Sequence, residues 1–345
     1  MKYSIIVPVY NRPDEVDELL DSLTRQAYAD FEVIIVEDGS SVSCKEVCDK
    51  YADRLSLRYF MKSNSGPGQS RNYGAERAEG SYLIILDSDV VLPDAYLSAV
   101  DAELTDNPCD AFGGADASHP SFTPVQKAIS YTMTSFFTTG GIRGGKKKLD
   151  KFYPRSYNMG IRKEVYAELG GFSKMRFGED IDFSYRIVEA GYKCRLFPEA
   201  WVWHKRRTDL KKFFRQVYNS GIARINLAKR HSGTMKIVHL LPMVFTVGVI
   251  ALVLTSAVGR ALMHYDDVHK WYWLCALPWL PILIYSLLIF ADSAWQNKSF
   301  KIGVISIAAA FVQLMGYGCG FLEAWWKRCV LGKDEFQAFE KTFYK

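Results

Sequence analysis

The residues from Ser81 to Asp89 constrain the fold more than any other stretch of the chain, because an apolar run ends there in two carboxylates. Residues 82–86 are all apolar, which predicts a strand buried on both faces. Asp87 and Asp89 follow, with Ser88 between them. Ligands of open α/β sheets bind outside the carboxyl ends of the strands, and hard divalent cations take carboxylate oxygens together with substrate phosphates. The stretch indicates a metal–diphosphate site, and a strand ending in solvated aspartates is the alternative.

Strand-like and helical stretches alternate around this segment. Strands are predicted at residues 3–9, 31–36 and 57–60. Helix-start signals or helical periodicity follow these strands, and one such helix is predicted at residues 44–54. This alternation predicts an α/β fold with a doubly wound, mostly parallel sheet, Rossmann-like in its winding. No Gly-x-Gly-x-x-Gly turn follows the first strand, so a dinucleotide site is not indicated.

The middle of the chain is less regular. A strand is predicted at residues 109–115, but residues 122–151 show no regular pattern. Residues 138–148 are rich in glycine and lysine, which is typical of a mobile surface loop. The same composition would suit a cradle for an anionic substrate, and both interpretations stay open.

A second acidic cluster begins with Gly178, Glu179 and Asp180 and precedes an apolar stripe of helical period. Acids in a first helical turn are commonly explained by the helix dipole, and a general base facing a cleft is the functional alternative. His204 then follows a predicted strand pair at residues 193–197 and 200–203. It is either a structural histidine or a further metal ligand.

The last third of the chain is strongly apolar. A basic, partly amphipathic helix is predicted over residues 210–230, and its composition suits a membrane surface or packing on a domain. Apolar segments at 240–263, 271–291 and 302–326 each have about the 20 residues that span a bilayer. The turn after the first segment is acidic, whereas the second turn and the tail are basic.

Three full crossings cannot place both the globular part and the tail on the positive, inner side. The glycine-rich third segment is therefore predicted to be re-entrant or interfacial, and an exception to the charge rule is the alternative. The first residues lack a signal peptide, so the globular part is expected on the cytoplasmic face, in a bacterial inner membrane. The seven cysteines form no Cys-x-x-Cys pair, which suits reduced thiols. The net charge of +5 forms no basic stripe, so no nucleic-acid partner is expected.

These observations divide the chain into four predicted parts. Residues 1–206 form an α/β domain, with one half at 1–90 and another at 91–206. Residues 207–235 hold the interfacial helix, 236–326 the membrane region, and 327–345 a basic tail.

Five short motifs follow one another along the first part of the chain. They are Val7-Pro-Val-Tyr-Asn11, Glu37-Asp-Gly-Ser40, Gly66-Pro-Gly-x-x-Arg71-Asn72, Asp87-Ser-Asp89 and Gly178-Glu-Asp180. Their order is that of inverting family-2 glycosyltransferases of the GT-A fold, and the chain resembles that family over roughly residues 1–230. The basic helix and apolar segments are similar to those of the membrane-anchored succinoglycan-synthesis type.

The resemblance makes residues 1–206 a catalytic domain, with a nucleotide-binding half at 1–90 and an acceptor half at 91–206. It also implies roles for individual residues. Asp180 would be the general base with Glu179 beside it, and Asp89, Asp87 and His204 would hold Mn²⁺ or Mg²⁺. The nucleotide-binding residues would be Pro8, Tyr10, Asn11, Asp38, Gly66, Arg71, Asp87 and Ser88. The acceptor-binding residues would be Asn158, Met159, Gly178, Lys146, Lys147 and Lys148.

The resemblance also implies a donor and an acceptor. The donor would be a nucleotide sugar, by family habit a UDP-sugar. The Gln-x-x-Arg-Trp motif of processive synthases is missing after Gln216, which favours transfer of one sugar onto a lipid-linked saccharide. A processive polysaccharide synthase and a non-catalytic, membrane-tethered binder of sugar nucleotides or glycans are the alternatives.

Overall fold

The computed structural model describes residues 1–119, 121–139, 152–175, 177–262, 272 and 275–339. The chain divides into two compact units. The first unit comprises Met1–Pro120 and Lys147–Lys205, and the second comprises Ser121–Lys146 and Arg206–Lys345. The predicted acceptor lysines Lys146, Lys147 and Lys148 lie outside the described residues, as does most of the glycine- and lysine-rich stretch.

All strands belong to one sheet in the first unit, and the helices occur in both units. The strands are β1 Tyr3–Val9, β2 Phe31–Asp38, β3 Leu57–Lys62, β4 Tyr82–Leu86, β5 Val90–Val91, β6 Ala111–Ala117, β7 Asn158–Arg162 and β8 Cys194–His204. The helices are α1 Pro13–Thr24, α2 Lys45–Asp49, α3 Pro67–Arg77, α4 Tyr96–Asp106, α5 Pro124–Thr134, α6 Phe136–Thr139, α7 Lys163–Glu168, α8 Glu179–Glu189, α9 Leu210–Arg230, α10 Leu241–Leu262, α11 Leu280–Asn297 and α12 Phe300–Trp325. Shorter helical turns lie at Ile237–His239, Leu277–Trp279 and Trp326–Val330.

The eight-stranded sheet has the order β3-β2-β1-β4-β7-β6-β8-β5. Strands β1 to β4 are parallel to one another, which confirms the predicted α/β winding. β7 is antiparallel to both of its neighbours, and β5 is antiparallel to β8, so the sheet is mixed. The carboxyl ends of β1, β2 and β4 lie at one edge of the sheet, where the predicted site residues follow them.

The sheet is buried on both faces. Along β1, Ile5 and Val7 belong to one apolar cluster and Ile6 to another, as the two-residue repeat of a strand requires. The first cluster includes the apolar face of α1, and the second includes Phe183 of α8. This two-sided burial explains why β4 is apolar throughout.

Several sequence-based boundaries were wrong. The helix predicted over 44–54 is only Lys45–Asp49, followed by turns. The predicted strand pair is the single strand β8, whose pairing with β6 shifts register between Gly114 and Asp116. The region predicted to lack regular structure contains α5, which a capping box between Thr123 and Gln126 begins. That box was readable in the sequence, and the weak apolar periodicity around it hid the helix.

Among its described residues, the second unit contains three helices long and apolar enough to cross a membrane, as predicted: Ile237–Leu262, Leu277–Asn297 and Phe300–Val330. The third segment, predicted to be re-entrant or interfacial, forms one continuous helix, because α12 runs uninterrupted through its glycines. Its path relative to a membrane stays a prediction. Those glycines permit close packing. A Cβ on Gly318 would lie 2.1 Å from the Thr246 hydroxyl of α10, and one on Gly316 would lie 2.6 Å from Val217 of α9.

The basic helix α9 has the predicted bounds and packs along α12. Its apolar side chains Phe213, Val217 and Ile222 are buried, so this face is covered by protein. The apolar face of α9 is therefore used for packing within the unit, which is one of the two interpretations, and its placement at a membrane surface stays a prediction. A Cβ on Gly320 would approach the Tyr218 carbonyl oxygen to 2.0 Å, which shows how closely the two backbones lie.

The close approach of α9 and α12 leads to a stability prediction. We expect Gly320→Ala to lower the stability of the second unit by about 1–3 kcal/mol, because the added methyl group forces the helices apart. Gly248→Ala on α10 is the matched control, since a Cβ there meets no atom within 4 Å. Thermal unfolding of the two variants in one detergent compares them. Equal midpoints for Gly320→Ala and Gly248→Ala would contradict this packing.

Candidate active site

A triad of possible metal ligands forms where β4, β5 and β8 meet. β4 ends at Leu86, so Asp87 and Asp89 follow at the sheet edge, and the pairing of Val90 with His204 brings the histidine beside them. His204 Nε2 lies 3.2 Å from Asp89 Oδ1. One donor atom from each of Asp87, Asp89 and His204 lies within 4.8 Å of the others. The structure thus brings together the three residues predicted as metal ligands.

Asp116, at the end of β6, supports the histidine and was missed in the sequence. Its Oδ2 lies 3.9 Å from His204 Nδ1, and the Tyr157 hydroxyl donates to its Oδ1 at 3.4 Å. The Tyr157 ring also stacks on the imidazole, with centroids 5.0 Å apart. In metal sites, a carboxylate behind a histidine ligand helps to fix which imidazole nitrogen faces the ion. The signal was an aspartate at a strand end, the pattern that identified Asp87.

The donor chemistry fits a divalent cation. Two carboxylates and one imidazole suit ions such as Mg²⁺ and Mn²⁺, and all three side chains are only partly exposed. One cation beside the triad is Arg12, whose guanidinium lies 3.5 Å from Asp89 Oδ2 and 2.5 Å from Glu15. Arg12 therefore offsets part of the negative charge of the triad.

Arg71 connects the metal-type triad to the second acidic cluster. Its guanidinium donates to Asp87 at 2.7 Å and to Glu179 at 2.9 Å, and the side chain is only 4% exposed. Burial alone would lower the pKa of Arg71, but the two carboxylates outweigh it and raise the pKa. The resemblance implied that this residue binds the nucleotide. The structure places it between two carboxylates as a buried, permanently charged link.

Glu179 and Asp180 begin α8 and differ in environment. Burial raises the pKa of Glu179 to about 7, against the opposing charge of Arg71. Burial acts on Asp180 too, but Arg155 donates to it at 2.6 Å and holds its pKa below the usual range. Arg155 was not singled out in the sequence, where nothing about the pattern around it marks a site. Asp180 is thus the acid of the pair that stays ionised at neutral pH.

The loops after β1 and β2 are tied together by Asn11. Its side-chain amide oxygen, Oδ1, accepts from the backbone N–H groups of Ser41 and Val42, at 2.7 and 3.0 Å. Asn11 itself has a positive φ of 55°, which asparagine tolerates better than most residues. Pro8 and Tyr10 flank this loop and are partly exposed, so both are accessible from the sheet edge.

Asp38 and Gly66 are joined in a second turn. The Asp38 carboxylate accepts from the backbone N–H groups of Ser65 and Gly66, at 2.9 and 2.8 Å, and pairs with Lys62. Gly66 has a φ of 93°, which favours glycine, and it precedes α3. Asp38 therefore fixes the start of the helix that carries Arg71. Ser88, between the two aspartates, is buried.

Two of the predicted acceptor residues are placed differently. Asn158 and Met159 lie on β7 and are completely buried. The Asn158 amide accepts from the Tyr96 hydroxyl and donates to the Ala200 carbonyl, so it is used within the protein. Direct contact of these two side chains with an acceptor is contradicted by this burial. Gly178, with a φ of 85°, lies at the start of α8 beside Glu179.

The fold is shared with solved glycosyltransferases. A mannosyltransferase from Pyrobaculum calidifontis, in complex with GDP-Man and Mn²⁺, superposes with a TM-score of 0.56 at 19% identity, over 86% of this chain and 87% of that one. Residues 1–349 of TarS from S. aureus, in complex with UDP, superpose with a TM-score of 0.51 at 18% identity, over 96% and 92%. These likenesses define a glycosyltransferase-type GT-A fold.

Sequence relatives define the family. An uncharacterized glycosyltransferase of Haemophilus influenzae is 31% identical over 218 residues, which is 60% of this chain and 70% of the relative. The uncharacterized glycosyltransferase EpsJ of Bacillus subtilis is 27% identical over 204 residues, and the match spans 59% of its length. The family model for glycosyl transferase family 2 matches residues 4–170. The chain belongs to glycosyl transferase family 2.

Proposed function

We propose that this enzyme transfers one sugar from a nucleoside-diphosphate sugar to a hydroxyl group of a lipid-linked saccharide at a membrane, with inversion at the anomeric carbon. The observation that carries the proposal is the convergence of a metal-type triad and an ionised acid at one edge of the sheet. Asp87, Asp89 and His204 form the triad, and Asp180 is the acid.

Asp180 is the proposed general base. A base must be unprotonated when the acceptor binds, and Arg155 keeps this carboxylate ionised. Its Oδ1 accepts from the Ile181 N–H at 2.9 Å, and the bond from Arg155 fixes Oδ2, so the carboxylate has one orientation. In the proposed step, Asp180 takes the proton of the acceptor hydroxyl while that oxygen attacks the anomeric carbon. The bond to the departing diphosphate breaks on the opposite face, which inverts the centre.

The residues that would hold Mn²⁺ or Mg²⁺ are Asp87, Asp89 and His204. When bound, such an ion supplies charge neutralisation for the diphosphate leaving group. The Mn²⁺ in the complex of the Pyrobaculum mannosyltransferase supports this expectation. The chain's own contribution is to orient the ligands, through Asp116 and Tyr157 behind His204.

Nucleotide binding is proposed at the loops that follow β1, β2 and β4. Asn11 joins the first two loops, Asp38 fixes the turn before α3, and Pro8 and Tyr10 present partly exposed rings there. The solved neighbours bind different bases, since one is in complex with UDP and another with GDP-Man. We propose a UDP-sugar, for which the TarS complex is the structural support.

The membrane acceptor is proposed from the second unit. Three helices there are long and apolar enough to span a bilayer, and most of α10 and α11 is exposed. Such an enzyme meets its acceptor most readily when the acceptor is itself anchored by a lipid. The cytoplasmic location of the catalytic domain remains part of this proposal.

A transfer assay tests the proposal. The detergent-purified chain is incubated with each of several radiolabelled UDP-, GDP- and dTDP-sugars, Mn²⁺ and a bacterial membrane lipid extract, and the lipid phase is counted. We expect label in the organic phase from one donor, with one sugar added per acceptor by mass spectrometry. Long glycan products would indicate a processive synthase. Nucleotide binding without any transfer or donor hydrolysis would favour a binding protein.

The support of His204 by Asp116 gives a separate prediction. We expect Asp116→Asn to weaken Mn²⁺ binding about 10–100-fold, because the neutral amide removes the negative charge that lies 3.9 Å behind the imidazole. Mn²⁺ titration in the presence of UDP, followed by electron paramagnetic resonance, measures the change. Asp106→Asn, at an exposed position of α4, is the matched control and should bind like the wild type. Unchanged affinity in Asp116→Asn would show that His204 does not depend on Asp116.

A further inference from the structure

A cavity of about 550 Å³ lies within the second unit, between α9, the start of α10 and the end of α12. Apolar side chains dominate its wall, among them Ile225, Met243, Phe321 and Trp325. Its volume falls in the range of about 300–1,000 Å³ that is typical of ligand pockets. Two of the three helices that form it, α10 and α12, are candidate membrane spans.

Cations gather around this cavity. Lys229 is the one charged residue among the described residues that line it, and it is exposed. Arg230, Lys236 and Arg328 are direct sequence neighbours of residues in the wall. Acids near the cavity are fewer than cations. Two of them, Glu335 and Glu323, pair with Arg230 and Lys327. The surroundings of the cavity are therefore positively charged.

The arrangement identifies the kind of molecule that fits. An apolar cavity bounded by membrane-type helices suits a hydrocarbon chain, and the adjacent cations suit an anion attached to that chain. Trp325 and Trp326 lie beside Lys327 and Arg328 at the end of α12, the residue pattern of a membrane–water interface. A molecule that combines a hydrocarbon chain with an anionic group is an anionic lipid, and the tryptophans indicate the level of its head group.

We propose that this cavity holds one acyl chain of an anionic bilayer phospholipid, whose phosphate is bound by Lys229 and its cationic neighbours. The lipid would occupy the gap between α9 and the two spans and fix their packing. This inference does not rest on the proposed transfer reaction, because no residue of the candidate active site takes part in it.

Quenching by brominated lipids tests the proposal. The full chain is reconstituted in phosphatidylcholine vesicles that contain increasing fractions of brominated phosphatidylglycerol or brominated phosphatidylcholine. The signal of Trp325 is the difference in fluorescence between the wild type and Trp325→Phe. We expect half-quenching of this signal at a several-fold lower fraction of the anionic lipid than of the zwitterionic one.

Three variants sharpen the test. Lys229→Gln should reduce the preference for phosphatidylglycerol about fivefold, the effect of one cation near a lipid surface. Ala228→Phe should make Trp325 insensitive to brominated lipid by filling the cavity. Lys211→Gln, an exposed lysine of α9 outside the cavity, should behave like the wild type. Equal quenching by both lipids would overturn the proposal. Recovery of fluorescence on adding a polyprenyl phosphate, with none on adding unlabelled phosphatidylglycerol, would overturn it as well and assign the cavity to an isoprenoid lipid.

Discussion

Asp180→Asn is expected to lower kcat about 10²–10⁴-fold, the usual contribution of a general base, while donor binding stays close to that of the wild type. The amide preserves the shape of the side chain, and its oxygen can still accept the hydrogen bond from Arg155, so the site should stay folded. Initial rates at saturating donor measure the loss, and calorimetric titration of the donor measures binding. A variant that retains more than half of the wild-type rate would remove Asp180 from the proposed role.

The pH profile decides between the two neighbouring acids. Arg155 holds the pKa of Asp180 low. The midpoint of the acid limb of the kcat/KM profile should therefore lie below the ordinary pKa range of a carboxyl group. Glu179 has a pKa raised to about 7 by burial, so a limb near pH 7 would assign the base role to Glu179. Glu179→Gln checks the assignment, since it abolishes a limb that comes from Glu179 and leaves one that comes from Asp180.

Arg71→Met is expected to destabilise the first unit by about 3–5 kcal/mol, the usual cost of removing one partner of a buried ion pair. Arg71 is 4% exposed, and its loss leaves Glu179, 9% exposed, without the cation that it faces. Denaturant unfolding at pH 8 measures the change. Arg77→Met on the same helix is the control, and we expect it to cost no more than about 1 kcal/mol, because Arg77 is 34% exposed.

The loss of stability in Arg71→Met should depend on pH, and the pKa of Glu179 determines the direction of that dependence. Its folded pKa of about 7 exceeds the ordinary 4.5, so its protonation stabilises the folded state below pH 4.5, and this contribution disappears as the pH rises through 7. Without Arg71, burial of the ionised form of Glu179 costs more free energy. The destabilisation should therefore be larger at pH 8 than at pH 6, and a loss independent of pH would contradict the assigned pair.

Local patterns in the sequence were sufficient to predict the parallel half of the sheet and the acid-bearing strand ends. The apolar run 82–86 and the Asp87–Asp89 pair are contiguous, so a single stretch contains both the strand and its ligands. His204 was predicted less directly, from its place after a strand. The pairing of that strand with Val90, which brings the histidine to the aspartates, is a long-range contact that no local pattern contains.

Partners that are distant in sequence could not be predicted. Arg155 lies 25 residues before Asp180, and Arg71 lies 108 residues before Glu179, yet these pairs determine which acid is ionised. The use of Asn158 was misjudged for the same reason, because its partners Tyr96 and Ala200 come from separate elements. Likewise, the apolar stripe of α9 is equally compatible with lipid and with a protein neighbour. The neighbour in the structure is α12, whose glycines let its backbone approach α9 closely.

The most direct test of the central claim is calorimetric titration of UDP into the detergent-purified protein, with and without Mn²⁺, on the wild type and on Asp89→Ala. We predict binding that depends on Mn²⁺ in the wild type and is lost in Asp89→Ala, because the triad then lacks one of its three ligands. Titration of GDP and dTDP under the same conditions identifies the base. Folded protein that binds none of these nucleotides with Mn²⁺ would contradict the assignment of the sheet edge as a nucleotide-sugar site.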